Sequence, residues 1–240
     1  MRRSFVLAAS LALAQVSPGA PFGTGDGAVA LPPDTIAVVT TDGLFVPSAT
    51  SSTPQISVPS AACPGASSFV RPAVEWEPGT SCLLVAAGPG LFRVCVDSLA
   101  GGLYTVVDVT PATATPMDLY DLDVNPGTGE LYLFDQATGT VERYAPPFAA
   151  GMVSDLSIPV PAGTRCMALD SRTIPASVLA GGTAGVTRLF PGGASENVSD
   201  LAFVAGVDQD PQKIGGLGTY VTSGSNQVGS RARRPTSWCR

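Results

Sequence analysis

The chain has 240 residues, of which 45% are hydrophobic and only 13% charged, with 27 Gly and 22 Pro, so long amphipathic helices, coiled coil and charge-driven disorder fit poorly. It has no histidine and a single lysine, Lys213, which excludes a Ser-His-Asp triad, a Cys-His dyad, a His-ligated zinc and a histidine general base. The net charge is −6, but Arg2 and Arg3 open the chain and Arg231, Arg233, Arg234 and Arg240 close it, leaving an acidic body that disfavours nucleic acid and anionic membrane surfaces as partners.

In chain order, Met1-Arg2-Arg3 followed by the apolar run Ser4 to Val16 reads as a secretory signal over residues 1–20. Cleavage after Ala14 and cleavage near Gly19 or Ala20 both fit. The expected destination is secreted or periplasmic. No later apolar run reaches the roughly 18 residues of a membrane span. Short apolar runs then alternate with turns. They predict strands at 28–31, 35–41, 44–47 and 55–58, then at 70–77, 81–87, 91–96 and 103–109. A third group falls at 119–125, 130–135, 140–144 and 153–160, and a fourth at 165–171, 176–180, 186–190 and 198–204.

These groups repeat. Gly43-Leu44-Phe45 recurs as Gly90-Leu91-Phe92, Pro78-Gly79-Thr80 as Pro126-Gly127-Thr128, and Val153-Ser154-Asp155-Leu156 as Val198-Ser199-Asp200-Leu201. Glycines 43, 90, 139 and 185 mark the same hairpin in each unit. A period of about 47 residues with four strands each is the arithmetic of β-propeller blades. The expectation is an all-β propeller or partial propeller of about four blades of four antiparallel strands. It spans residues 26–224, in units at 26–62, 68–110, 115–160 and 164–205 with a partial fifth to 224, before a basic disordered tail at 225–240.

Export makes the five cysteines candidates for disulfides. A two-residue loop at Gly88-Pro89 places Cys82 opposite Cys95, on one face and within bridging reach, whereas a three-residue loop would turn them to opposite faces. Cys63 and Cys166 remain as a second pair, and Cys239 is left over. Asp121, Asp123 and Asn125 put three oxygen-bearing side chains on alternate positions ahead of a Gly-rich turn, like the start of a calcium loop. The sixth position is then Pro126 where such a loop needs Gly, and the twelfth is Tyr132, which cannot supply the bidentate carboxylate, so the match fails there; no cofactor is assigned, with calcium the one candidate. The simpler reading is the polar side of an outer strand. Asn197-Val198-Ser199 has the form of a glycosylation sequon.

Asp123 to Asp135, with its Pro-Gly-Thr-Gly-Glu-Leu-Tyr-Leu-Phe core, followed by Gly139-Thr-Val-Glu-Arg-Tyr144, resembles a blade of the NHL-type and gluconolactonase-type six-bladed propellers. The resemblance implies an architecture more than an activity. Rings of this family close with six blades, so about four repeats imply either a smaller ring or a truncated product. The gluconolactonase-type enzymes hold a divalent cation with Glu, Asn and Asp side chains from different blades. Glu75, Glu77, Asn125 and Asp135 stand in loosely comparable contexts, although Glu75 and Glu77 also read as alternating with core Val74 and Trp76, and Asp135 as a turn cap. The functional expectation is a noncatalytic binding or scaffold module for a protein or carbohydrate ligand, with no catalytic residue assigned. A metal-dependent lactone hydrolase and a fragment without activity of its own are the alternatives.

Overall fold

The computed structural model describes residues 25–31, 35–46, 55–64, 72–80, 82–98, 102–113, 115–170, 173–200, 204–209, 219–223 and 228–231. They form antiparallel sheets of consecutive strands, each strand beside its neighbour in sequence. The first sheet holds β1 (Gly25–Leu31), β2 (Thr35–Thr40), β3 (Gly43–Val46) and β4 (Ile56–Pro59), and a short 3-10 turn follows at Ser60–Ala62. The second holds β5 (Ala73–Trp76), β6 (Cys82–Ala87), β7 (Gly90–Ser98) and β8 (Leu103–Asp108). The third holds β9 (Leu119–Val124), β10 (Leu131–Asp135), β11 (Thr140–Tyr144) and β12 (Leu156–Pro159). The fourth holds β13 (Thr164–Asp170), β14 (Ser177–Gly182), β15 (Gly185–Leu189) and β16 (Ser195–Ser199). A three-stranded sheet follows, of β17 (Val204–Gln209), β18 (Thr219–Ser223) and β19 (Val228–Arg231). Four repeated four-stranded meanders make this an all-β fold of propeller-blade type.

The chain divides into two compact units. The first contains the first two sheets, Leu119 and residues 149–152; the second contains the third sheet from Tyr120 onward. In the first unit Val39, Leu44, Val46, Ile56 and Val58 pack on Val74, Leu83, Val85, Phe92 and Val94 of the second sheet. In the second unit Tyr132, Phe134, Val141 and Ile158 pack on Met167, Leu169, Val178, Ala180 and Leu189. Burying each of these larger side chains contributes about 1.5–3 kcal/mol. The second strands β6, β10 and β14 are buried at every residue, which explains why they read as continuous apolar runs and not as alternating ones. The fourth strands β4 and β8 alternate between buried or half-buried and exposed residues, as sheet edges do.

The strand reading departs most from the structure in the fourth sheet. The fourth strand of the fourth sheet is β16 at Ser195–Ser199, not 198–204. Gly193, at φ 85°, turns the chain directly after β15, and Phe190 N–H bonds Ala194 O at 2.9 Å, so pairing resumes at once. The strand is polar, and a search for apolar runs passes over it. β19 lies within the stretch read as the tail, while residues 1–20, 232–240 and Cys239 lie outside the described residues.

Gly43 and Gly185 hold equivalent places at the start of a third strand, with φ of +150° and +111°. A Cβ there would run into the carbonyl oxygen of Val58 or of Ser199 on the adjoining fourth strand. Both the dihedral and the close approach therefore require glycine. Gly185→Ala is expected to lower stability by about 1–3 kcal/mol in urea unfolding. Gly192→Ala, where no atom lies within 4 Å of the added carbon, is expected to stay within about 0.5 kcal/mol of the parent.

Candidate functional site

The first strands of the third and fourth sheets carry the most unusual polar arrangement. Met167 N–H donates to Asp121 Oδ2 at 2.7 Å, and Leu169 N–H donates to Asp123 Oδ2 at 2.8 Å. Both bonds join residues 46 apart in sequence, so β9 and β13 run parallel, displaced by one repeat. β13 is an edge strand, and its N–H groups have no strand on that side to receive them. The two side chains accept these N–H groups in place of the missing ladder. Asp121 and Asp123 are thus not the solvent-facing side of an outer strand; each is half-buried against the next sheet.

Asn125, the third member of the calcium-like spacing, faces its own turn, where its Oδ1 accepts the Gly127 N–H at 3.0 Å. The spacing therefore leads to two different structural tasks. A cation bound here would have to share oxygens that already accept N–H bonds. Among the described residues no group of three or more Cys, Asp or Glu side chains is placed to hold a metal ion.

Asp121 also accepts the Leu122 N–H at 3.0 Å through Oδ1. Burial pushes its carboxyl up to about 7, overriding the downward pull of its bonds from Met167 and Leu122. The other acidic candidates sit in separate local arrangements. Glu75 Oε1 accepts the Trp76 N–H at 2.9 Å. Glu77 forms a two-point pair with Arg93, Nε to Oε2 at 2.6 Å and Nη2 to Oε1 at 3.0 Å. Asp135 closes the β10–β11 turn, accepting from Ala137 N–H at 3.0 Å and from Thr138 Oγ1 at 2.9 Å.

A recurring arginine is the feature the sequence analysis missed. Arg93, Arg143 and Arg188 each occupy the fourth position of a third strand. Arg188 is buried and donates to Asp170, at the end of β13, at 3.1 Å and to Glu196 at 3.2 Å. Arg93 reaches back in the same way to Glu77, just beyond β5. In the third sheet the equivalent place beyond β9 is Asn125, and Arg143 turns to Asp155 at 2.8 Å and Glu130 at 3.3 Å. The signal was present as Gly90-x-x-Arg93 and Gly185-x-x-Arg188, one step beyond the glycines already aligned.

Cys82 and Cys95 are direct partners across β6 and β7, joined by the two-residue loop Gly88-Pro89, and form a disulfide with Cα atoms 3.9 Å apart. Cys63 and Cys166 do not form a second bridge. Each is a buried thiol in a different sheet region. Burial, with the nearby Asp108 charge, raises the Cys63 thiol to about 11. Cys166 Sγ lies 3.6 Å from Gly181 O.

Because the folded Asp121 carboxyl titrates near 7 and an unfolded one near 3.8, its favourable contribution is full below about pH 4 and is lost as pH rises through 7. Asp121→Asn removes that titration. The difference in unfolding free energy between about pH 5 and about pH 8 is expected to shrink in this variant; an unchanged difference would place its source elsewhere. Replacing Cys82 and Cys95 together by Ser is expected to cost about 2–4 kcal/mol in the same assay.

No family model matches the chain, and no curated protein matches it in sequence. Solved structures do resemble it. A Bacteroides uniformis protein named for 6-phosphogluconolactonase is 13% identical with a TM-score of 0.59, over 88% of this chain and 67% of that one. Two structures of the extracellular domain of the two-component or one-component system BT4673 of B. thetaiotaomicron are 14% and 17% identical, with TM-scores of 0.55 and 0.50. They cover 88% and 86% of this chain, which spans 27% of each of theirs. At these identities the likeness is one of fold, and the fold it supports is the propeller type.

Proposed function

We propose that the chain is an exported, noncatalytic propeller-type module that binds or scaffolds a protein or carbohydrate ligand through loops. The observation that carries this reading is the engagement of its acidic side chains. Asp121 and Asp123 hold β13 amides, Glu77 and Asp170 hold arginines, and Asp135 holds its own turn. Groups used in this way orient strands, and recognition then falls to the loops.

In the second unit the loops after β9, β11, β13 and β15 lie at one end of the sheets. Ile174, 99% exposed, and Val153, 76% exposed, provide apolar contact points there. Export rests on the signal-like residues 1–20 and is in keeping with the extracellular origin of the BT4673 domains. Among the described residues no helix is long and apolar enough to cross a membrane.

The name of the B. uniformis neighbour favours one other reading, metal-dependent lactone hydrolysis as in the gluconolactonase-type propellers. It would require Asp121, Asp123 and Asn125, which accept N–H bonds in two separate arrangements, to converge on one divalent cation. Thermal melts of the mature chain with excess calcium and with a chelator separate the two. A bound cation at about a hundred times its dissociation constant adds roughly 2.7 kcal/mol. The module reading expects one cooperative melt unchanged by either addition and no hydrolysis of a gluconolactone. A calcium-dependent rise accompanied by hydrolysis that Asp123→Asn abolishes would overturn it, and so would a melt without cooperativity.

A further inference from the structure

The fourth strands are the outer edges of the sheets, and three of the four are poor templates for pairing. β4 and β12 are four residues long and end in Pro59 and Pro159, and β16 carries Glu196 with Asp200 just beyond it. Short edges, proline and charge are the usual means of keeping an edge from pairing. β8 has none of them. It is six residues long, Leu103-Tyr-Thr-Val-Val-Asp108, without proline and without charge before its last residue. Among the described strands it pairs with β7 alone. Leu103 is 60% exposed and Val107 46% exposed, on the same side as exposed Thr105.

We propose that β8 is a homotypic edge, where two copies of the chain join β8 to β8 antiparallel about a two-fold axis at Thr105, making one continuous eight-stranded sheet. The strand is complementary to itself in that register. Leu103 falls opposite the partner's Val107 on one face, and Tyr104 opposite the partner's Val106 on the other. Pairs of apolar and β-branched residues directly across a sheet are the stabilising kind. Asp108, the one charge, falls opposite Gly102 and not opposite its own copy. Asp97, which accepts from Thr105 Oγ1 at 2.9 Å, lies one strand further in. Its copy is then about three strand spacings away, roughly 14 Å, beyond the screening length at ordinary salt. A second copy is favoured over a foreign strand because both faces and the charge are matched by the strand's own sequence, as an isologous interface demands.

A single strand pair buries less than a standard interface, so the dimer should be weak and its population should rise with concentration. The test is sedimentation of the mature full-length chain over a concentration series reaching the millimolar range. The parent is expected to shift from monomer toward dimer, and Leu103→Lys and Val107→Lys to remain monomeric with melting temperatures close to the parent's, since both side chains are exposed. Ile174→Lys, at the other strongly exposed apolar site, is expected to dimerise as the parent does. A parent that stays monomeric throughout would overturn the proposal, as would dimerisation unaffected by both β8 substitutions or abolished equally by Ile174→Lys.

Discussion

A sheet four strands wide whose second strand is apolar on both faces is not stable alone in water. β6, β10 and β14 each present residues to both sides of their sheet, and all are buried. That requirement explains the repetition. A meander cannot cover itself, so the economical solution is another meander stacked upon it. The core of the first unit and the larger one of the second are built in this way from facing sheets. Exposure rises toward the fourth strands, where alternation returns.

Charge enters such a stack only under tight conditions. A buried arginine such as Arg188, left without a partner on a third strand, would be strongly unfavourable. Arg188 meets this with Asp170 and Glu196, and Arg93 with a two-point grip on Glu77. In both sheets the acid comes from the end of the first strand, so the ion pair spans the second strand. Such pairs favour one arrangement of the three strands over alternatives of similar apolar content. The third sheet has Asn125 at the acid's place, and Arg143 pairs toward its outer strand instead.

The architecture was legible because its signals are local. Turn glycines and prolines divide the chain, apolar runs of four to six residues fill the intervals, and a period near 47 residues is visible in literal repeats. The Cys82–Cys95 register followed from counting residues around Gly88-Pro89. β16 was displaced in the reading because its residues are polar. The roles of Asp121 and Asp123 were hidden for a different reason. Their partners are backbone amides one repeat away, and backbone donors leave no trace in residue type. A pattern of acids on alternate positions looks the same whether it awaits a cation, faces water or caps the edge of a neighbouring sheet. The arginine series was readable but lay beyond the glycine tags that defined the repeat.

The paired bonds of Asp121 and Asp123 act as two teeth of a rack. Because donors and acceptors both recur at every second residue, sliding β13 by one position along β9 turns both amides away, so only steps of two residues keep the pairing. Two adjacent sheets therefore share a common height that does not depend on the loops between them. Those loops are free to lengthen, shorten or change composition while the sheets keep their alignment, which is the freedom a repeated scaffold needs in order to diversify what it recognises.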